Sequence, residues 1–274
     1  MEQKTSAITI TRIIGGNAQT VSDQVAGEAP LGISIACDGD QGRVQRDVSV
    51  TMRTPGNDAA LAVGFLFTEG IIRDATEVDR VETMIGGEDR VLVSLKPGIR
   101  PLMASLDRNF YTTSSCGVCG KTSLDAVAVA CPPVVNGLSV PSELLLALPA
   151  RLREAQQTFE VTGGLHAAGL FNTDGTLQSL KEDVGRHNAV DKLIGETLMK
   201  DRRMFGQSIL MLSGRISFEL VQKAAMAGIP VIAAIGAPSS LAIELALSKG
   251  ICLAGFIRGD RFNEYTFADR IKTS

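Results

Sequence analysis

The chain has 274 residues, enough for one large or two modest domains, and its 45% hydrophobic and 21% charged content suits a globular protein with a true core. A net charge of -3 excludes a broad nucleic-acid surface, so any anion site must be local. Five cysteines, an odd number, and no export-signal pattern at the start argue for free thiols in a reducing cytoplasm.

In chain order, residues 8–14, 32–37 and 47–53 carry alternating or β-branched residues and predict strands. Thr54-Pro55-Gly56-Asn57-Asp58 predicts a turn with an N-cap, and residues 59–69 a helix stopped by Gly70. Two more strands are predicted at 78–84 and 90–95, with Gly86-Gly87 as a hairpin signal between them. Arg43, Arg46 and Arg53 are expected in solvent, and residues 1–105 carry no evident chemistry.

Residues 111–122 read Tyr-Thr-Thr-Ser-Ser-Cys-Gly-Val-Cys-Gly-Lys-Thr, which sets Cys116 and Cys119 on a small-residue loop. From Leu124 the apolar residues recur at Val127, Ala128 and Cys131, a helical spacing that Pro132-Pro133 ends. Cys119 is therefore expected near a helix N-terminus beside Lys121, and both features favour thiolate, pulling a cysteine pKa from about 8.5 toward roughly 3.5–7.5. Three chemistries fit the pair: half of a zinc site, a dithiol redox motif, or a nucleophilic cysteine carrying a sulfur atom between partners. No second cysteine pair completes a zinc site within the chain, since Cys37, Cys131 and Cys252 are scattered. The motif alone leaves all three open.

Residues 142–157 predict an amphipathic helix, and 159–171 with 176–181 a hairpin across Asn172-Thr173-Asp174-Gly175. A helix then opens in Glu182-Asp183-Val184-Gly185-Arg186-His187-Asn188-Ala189-Val190-Asp191-Lys192. Beyond it, strands at 208–212, 230–235 and 251–257 alternate with helices at 218–227 and 241–249, capped by Gly228 and Gly250. Strands this apolar, separated by helices, predict a parallel sheet covered on both faces. Residues 224–243 are uncharged and of spanning length, but Gly228, Pro230, Gly236 and Pro238 interrupt them, so no membrane association is expected.

Ligands of open α/β sheets bind beyond the carboxyl ends of the strands. The loops expected there hold Ser213, Gly214 and Arg215, then Gly236 with Ser239 and Ser240, then Arg258, Gly259, Asp260 and Arg261. Small residues before helix N-termini, joined by guanidinium groups, suit a phosphorylated ligand. Neither a P-loop nor a dinucleotide fingerprint is present. His187, following Arg186 in a run of polar residues, is expected to line a polar site. His166 on an apolar strand reads more simply as a core histidine. A zinc deaminase would carry Glu where Ala168 stands and a cysteine pair downstream rather than upstream, which excludes deaminase catalysis.

Four motifs in order, Ser-Ser-Cys-Gly-Val-Cys-Gly, Thr-Gly-Gly-x-His-Ala-Ala, the Glu182–Lys192 run and Ser-Gly-Arg with its following Glu-Leu-Val-Gln-Lys-Ala-Ala-Met-Ala-Gly-Ile-Pro, resemble the formate dehydrogenase accessory sulfurtransferases, the FdhD family. The resemblance runs through most of residues 30–265. It implies a sulfur carrier that takes persulfide sulfur from a cysteine desulfurase and passes it to the molybdenum cofactor required by formate dehydrogenase, a bis(molybdopterin guanine dinucleotide) of which GDP is a fragment. It further implies Cys116 as the persulfide-bearing residue with Cys119 as accepting or resolving partner. Ile257, Arg258, Gly259, Asp260, Arg261 and Phe262 would be the cofactor-binding segment, joined by the loops above and by His166, Arg186 and His187. A homodimer is implied; the cytoplasm stays an expectation from the cysteine usage above, and no metal ligand is assigned. The fold expected is α/β: a smaller α+β domain over 1–110 and an α/β/α domain over 111–274 whose mixed, largely parallel sheet resembles cytidine deaminase. Two other functions compete, a cofactor-binding chaperone with a structural cysteine pair and a thiol–disulfide oxidoreductase.

Overall fold

The computed structural model describes residues 4–39, 42–102, 131–135 and 137–273. Cys116, Cys119 and most of the helix expected from Leu124 lie outside the described residues. The chain opens with a separate antiparallel hairpin, β1 (Thr5–Ile14) and β2 (Asn17–Ala26). The sequence reading includes only β1. The turn it passes over is Gly15-Gly16, at φ of 56° and 86°, the left-handed pair favoured in two-residue hairpin loops.

Next come β3 (Ala29–Gly39), β4 (Gly42–Arg53), α1 (Asp58–Thr68), β5 (Val78–Met84) and β6 (Arg90–Leu95). The four strands form one sheet in the order β4-β3-β6-β5, with β3 and β6 parallel. α1 is buried on nearly every side, Leu61, Ala62, Val63 and Leu66 fully, because it lies between this sheet and the helices that follow. Arg53 corrects the expectation of a solvated side chain. Its guanidinium is fully buried and donates to both Asp58 oxygens at 3.0 and 2.9 Å and to Asp89 at 3.0 Å. Burying the charge is tolerated because two carboxylates meet it.

The remaining elements are β7 (Val140–Pro141), α2 (Ser142–Ala155), α3 (Gln157–Thr162), β8 (His166–Asn172), β9 (Leu177–Asp183), α4 (Arg186–Asp201), β10 (Ser208–Leu212), α5 (Phe218–Ala227), β11 (Val231–Ala234), α6 (Ser240–Lys249), β12 (Cys252–Arg258), β13 (Arg261–Thr266) and β14 (Ile271–Lys272). β7 and β14 pair with each other. The other six strands form a mixed sheet ordered β13-β12-β11-β10-β8-β9, in which β10, β11 and β12 are parallel. The expected strand over 159–171 is shorter than predicted, since its first part is α3. The Glu182 carboxylate accepts the Thr158 and Phe159 N–H groups at 3.0 and 2.8 Å, and Gly163 at φ 66° ends the turn.

Alternate residues of the central strands face opposite layers. Ile209, Met211, Val231, Ala233, Cys252 and Ala254 pack with Leu145, Leu148 and Leu152 of α2. Leu210, Leu212, Ile232, Ala234 and Leu253 pack with α4, α5 and α6. That second core continues without a break through α1 to Leu31, Ile33 and Ile35 of β3. At its centre α1 crosses α4 backbone to backbone: a Cβ on Gly64 would overlap the Asp191 carbonyl, and one on Gly195 that of Ala60. Around the crossing, Lys223 reaches Thr68 and Asp191 at 2.9 Å and Glu69 at 3.3 Å. Burial alone would lower the Lys223 pKa, but the Asp191 and Glu69 carboxylates raise it above the ordinary lysine value. Lys192, 2.7 Å from Asp183, and Asn188 fasten α4 to Thr54 and Met52.

Candidate functional site

Five strands deliver their ends to one edge of the mixed sheet. β10, β11 and β12 finish there, β8 begins there because it runs antiparallel to β10, and β9 ends there with Asp183 opposite His166. The loops are stitched by backbone bonds. Ser213 N–H donates to Ala167 O at 3.0 Å, Gly236 N–H to Gly214 O at 3.1 Å, and Phe256 N–H to Gly236 O at 3.1 Å. Gly236 is required by this stitching, because a Cβ there would stand 2.6 Å from Gly214 O. Gly214 lies against the His166 ring, where a Cβ would be 3.3 Å from Nδ1. His166, Gly214, Gly236 and Phe256 thus form one continuous ridge.

The helix starts behind this ridge differ. Ser239 caps α6 by accepting the Ala242 N–H at 3.3 Å, so its hydroxyl performs the ordinary capping role. Ser240 begins that helix in solvent. Ser217 precedes α5 but makes no side-chain cap bond. Its hydroxyl lies 3.3 Å from Nε2 of the buried His187, with a Glu219 oxygen 3.9 Å from the same nitrogen. The first N–H groups of α5 therefore face the edge without their own serine. Glu219 in the first turn favours the helix dipole and would compete with an incoming anion.

His166 is half-buried. Burial is the main cause holding its pKa below the ordinary 6.5, the Arg186 cation adds to it, and Asp183 opposes. The ring is thus neutral near pH 7, able to accept or donate a hydrogen bond. Asp183 is fully buried and accepts from Gly185 N at 2.8 Å, Thr54 N at 3.1 Å and Lys192, which fixes the turn that presents Arg186 and His187.

Arg215, Arg258, Gly259, Asp260 and Arg261 are exposed. Arg261 and Phe262 belong to β13 rather than to a loop, because Gly259 at φ 59° turns the chain into a hairpin that pairs Arg258 with Arg261. The Ile257 side chain is buried in the core with α2, leaving only its backbone to the edge. Sequence reasoning missed Ser217, Asp183 and Phe256 as site residues. Ser217 had a visible signal, its position before a helix; Phe256 had none. Among the described residues no cluster of His, Cys, Asp or Glu could hold a metal ion, and no helix is long and apolar enough to cross a membrane. Cys37, Cys131 and Cys252 are buried, and burial raises all three thiol pKa values, that of Cys252 to about 12.

The profile of the FdhD/NarQ family matches residues 28–272. The chain belongs to the FdhD/NarQ family. Its relatives include the "Sulfur carrier protein FdhD" of Mycolicibacterium paratuberculosis, 48% identical over 98% of this chain and 99% of that one. Those of Streptomyces coelicolor (46% identical; 96% of this chain, 94% of that one) and Sulfolobus acidocaldarius (40%; 96% and 97%) carry the same name. Among solved structures, one described as a formate dehydrogenase accessory protein from Desulfotalea psychrophila superposes with a TM-score of 0.75 at 25% identity, covering 98% of this chain and 100% of the other. FdhD membership supports a sulfur-carrying role linked to formate dehydrogenase. The β1–β2 hairpin precedes the matched FdhD/NarQ segment.

Proposed function

We propose that this chain loads sulfur on Cys116 from a cysteine desulfurase and delivers it to the molybdenum cofactor of formate dehydrogenase, held at the carboxyl edge of the mixed sheet. In the loading step the Cys116 thiolate attacks the terminal sulfur of the donor's persulfide. A new S–S bond forms as the donor's S–S bond breaks, and the donor leaves as thiolate, so no external oxidant is needed. Cys119 would accept the persulfide or resolve it. The buried thiols of Cys37, Cys131 and Cys252 are poor nucleophiles, which favours the pair for this work.

The observation that carries the cofactor half is the ridge from His166 through Gly214 and Gly236 to Phe256, flanked by Arg186, Arg215, Arg258 and Arg261 and backed by the α5 N-terminus. These residues fit a bis(molybdopterin guanine dinucleotide) substrate: glycines admit it closely, and arginines and helix N–H groups suit its diphosphates. His166 and His187 would contact its remaining polar groups. On this reading residues 111–274 form a cytidine deaminase-like domain without the deaminase glutamate, residues 1–110 a smaller one, and the protein works as a cytoplasmic homodimer.

Intact mass spectrometry after incubation with a desulfurase and cysteine tests the carrier. The chain should gain one or more sulfur atoms, removable by reductant, and Cys116→Ala should gain none. Equal loading of Cys116→Ala would move the role away from Cys116.

A further inference from the structure

A cavity of about 320 Å³ lies beside β9, the edge strand farthest from β13 in the mixed sheet. Leu180, Lys181 and Glu182 all line it, and successive strand residues point to opposite faces, so it meets β9 edge-on. β9 therefore separates it from the ridge, which ends at His166 on β8. Its other walls are the 54–57 turn before α1, the α2–α3 junction and α4. Among the described residues, the charged groups lining it are three ammoniums and one carboxylate. The carboxylate, Glu182, is already occupied by the Thr158 and Phe159 N–H groups. Lys181 is held 2.9 Å from Glu196. Lys4 is exposed at the mouth and has no ion pair among the described residues. Lys192 forms the floor and is 1% exposed. Of its three N–H groups, Asp183 takes one at 2.7 Å and the Thr54 carbonyl another at 2.6 Å, and no described residue takes the third. Burial lowers the Lys192 pKa below the ordinary 10.5 in spite of Asp183, so its charge is incompletely compensated. α1 starts at the same wall with Asn57 at φ 59° and no side-chain cap bond, which leaves its first N–H groups uncapped there.

We propose that this cavity is an anion site distinct from the carboxyl edge, taking a phosphoryl group as free phosphate or as the end of a small ester. Its donors stand on separate walls: the open Lys192 N–H on the floor, the α1 N-terminus at one side and Lys4 at the mouth. The tetrahedral oxygens of a phosphoryl group accept from several directions at once, whereas a carboxylate offers two oxygens in one plane. Lysines bind phosphate as point charges and tolerate such a spread of positions, where an arginine fork would demand a fixed plane. The volume admits a phosphate with few further atoms, at the small end of ligand cavities of roughly 300–1,000 Å³. A bound anion would also tie the β1–β2 hairpin to the body of the chain. Lys4 stands at the hairpin root, where its carbonyl accepts the Gly27 N–H at 2.8 Å. Its side chain lies over the turn, since a Cβ on Gly56, at φ 98°, would be 3.4 Å from Lys4 Cε. None of these groups belongs to the proposed nucleotide site, so the two readings stand or fall separately.

Calorimetry on the full-length chain at constant ionic strength tests the site, with inorganic phosphate and glycerol 3-phosphate as probes. Lys4→Glu and Asn57→Asp, both at exposed positions, should each weaken phosphate binding about tenfold or more while leaving GDP affinity at the wild-type value. Tighter binding of glycerol 3-phosphate than of phosphate assigns the site to an ester, and the reverse assigns it to free phosphate. A wild-type chain that binds neither probe overturns the proposal. Phosphate affinity unchanged in both variants, or phosphate displaced one for one by GDP, overturns it as well, because the anion is then held elsewhere. A second measurement needs no variant that must fold. NMR titration of the Lys192 side chain in the wild-type protein should show its pKa rising when phosphate saturates the chain, and an unchanged value overturns the site.

Discussion

The crossing of α1 over α4 and the carboxyl edge of the mixed sheet hold similar side chains in opposite settings. At the crossing, Arg53, Lys192 and Lys223 are buried and each meets at least one carboxylate. At the edge, Arg215, Arg258 and Arg261 stand in solvent beside glycines and an outward-turned phenylalanine. Lys192 and Lys223 fasten one half of the chain to the other, while Arg53 ties β4 to the start of α1 and to Asp89, so all three are engaged in holding the fold. The exposed ones contribute little to stability, and their donors remain open to a substrate. Charged residues therefore announce a site only when burial and pairing are known.

The sharpest way to break this contrast is to remove one member of a buried pair. Asp183→Ala leaves Lys192 facing the Thr54 carbonyl without its carboxylate, and should cost about 3–5 kcal/mol in urea unfolding. A loss below about 1 kcal/mol would mean that solvent already reaches the pair. Arg261→Ala should do the reverse. GDP binding should weaken about tenfold, equivalent to about 1.4 kcal/mol, while the unfolding midpoint stays that of wild type. If GDP affinity is unchanged, the hairpin arginine lies outside the site.

The smallest effect sharpens the comparison where the two regions meet. His166 has a pKa held below 6.5 in the fold by burial and by Arg186, against Asp183, so the unfolded chain takes up its proton at a higher pH than the folded one. Its contribution to stability should be complete above pH 6.5 and decline as pH falls below that value. NMR titration of the ring should give a midpoint below 6.5, and His166→Asn should flatten this part of the stability profile. A midpoint above 6.5 would place Asp183 rather than burial in control.

The contrast also explains what could be read without coordinates. β10 to β12 and their helices were legible because both sheet faces are covered, which makes each strand a short apolar run between helix caps. β2 escaped notice because its Gln, Thr, Ser and Asp residues are mostly exposed and show no apolar alternation. α3 is one short helix held by a carboxylate that arrives two dozen residues later. Arg53 looked solvated because one of the carboxylates that meet it, Asp89, lies 36 residues away. At the edge, the strand–helix alternation located the arginine loops. The meeting of His166 with Gly214 depends on β8 running antiparallel to β10, and the turning of Phe256 on a local bulge. Neither leaves a mark on the residue pattern.

The helix crossing has a further consequence, for folding and for divergence. Thr68 and Asp191 bond across 123 residues of sequence, so α1 docks on α4 only after a long loop has closed. Such a closure slows folding, yet its free-energy cost grows only with the logarithm of length, about 0.6 kcal/mol for each doubling. Residues 111–122, with both cysteines, fall inside that loop. By that logarithm, gaining or losing a few residues between Thr68 and Asp191 would scarcely change the closure cost, whereas the glycine-to-glycine crossing admits no added Cβ on either helix.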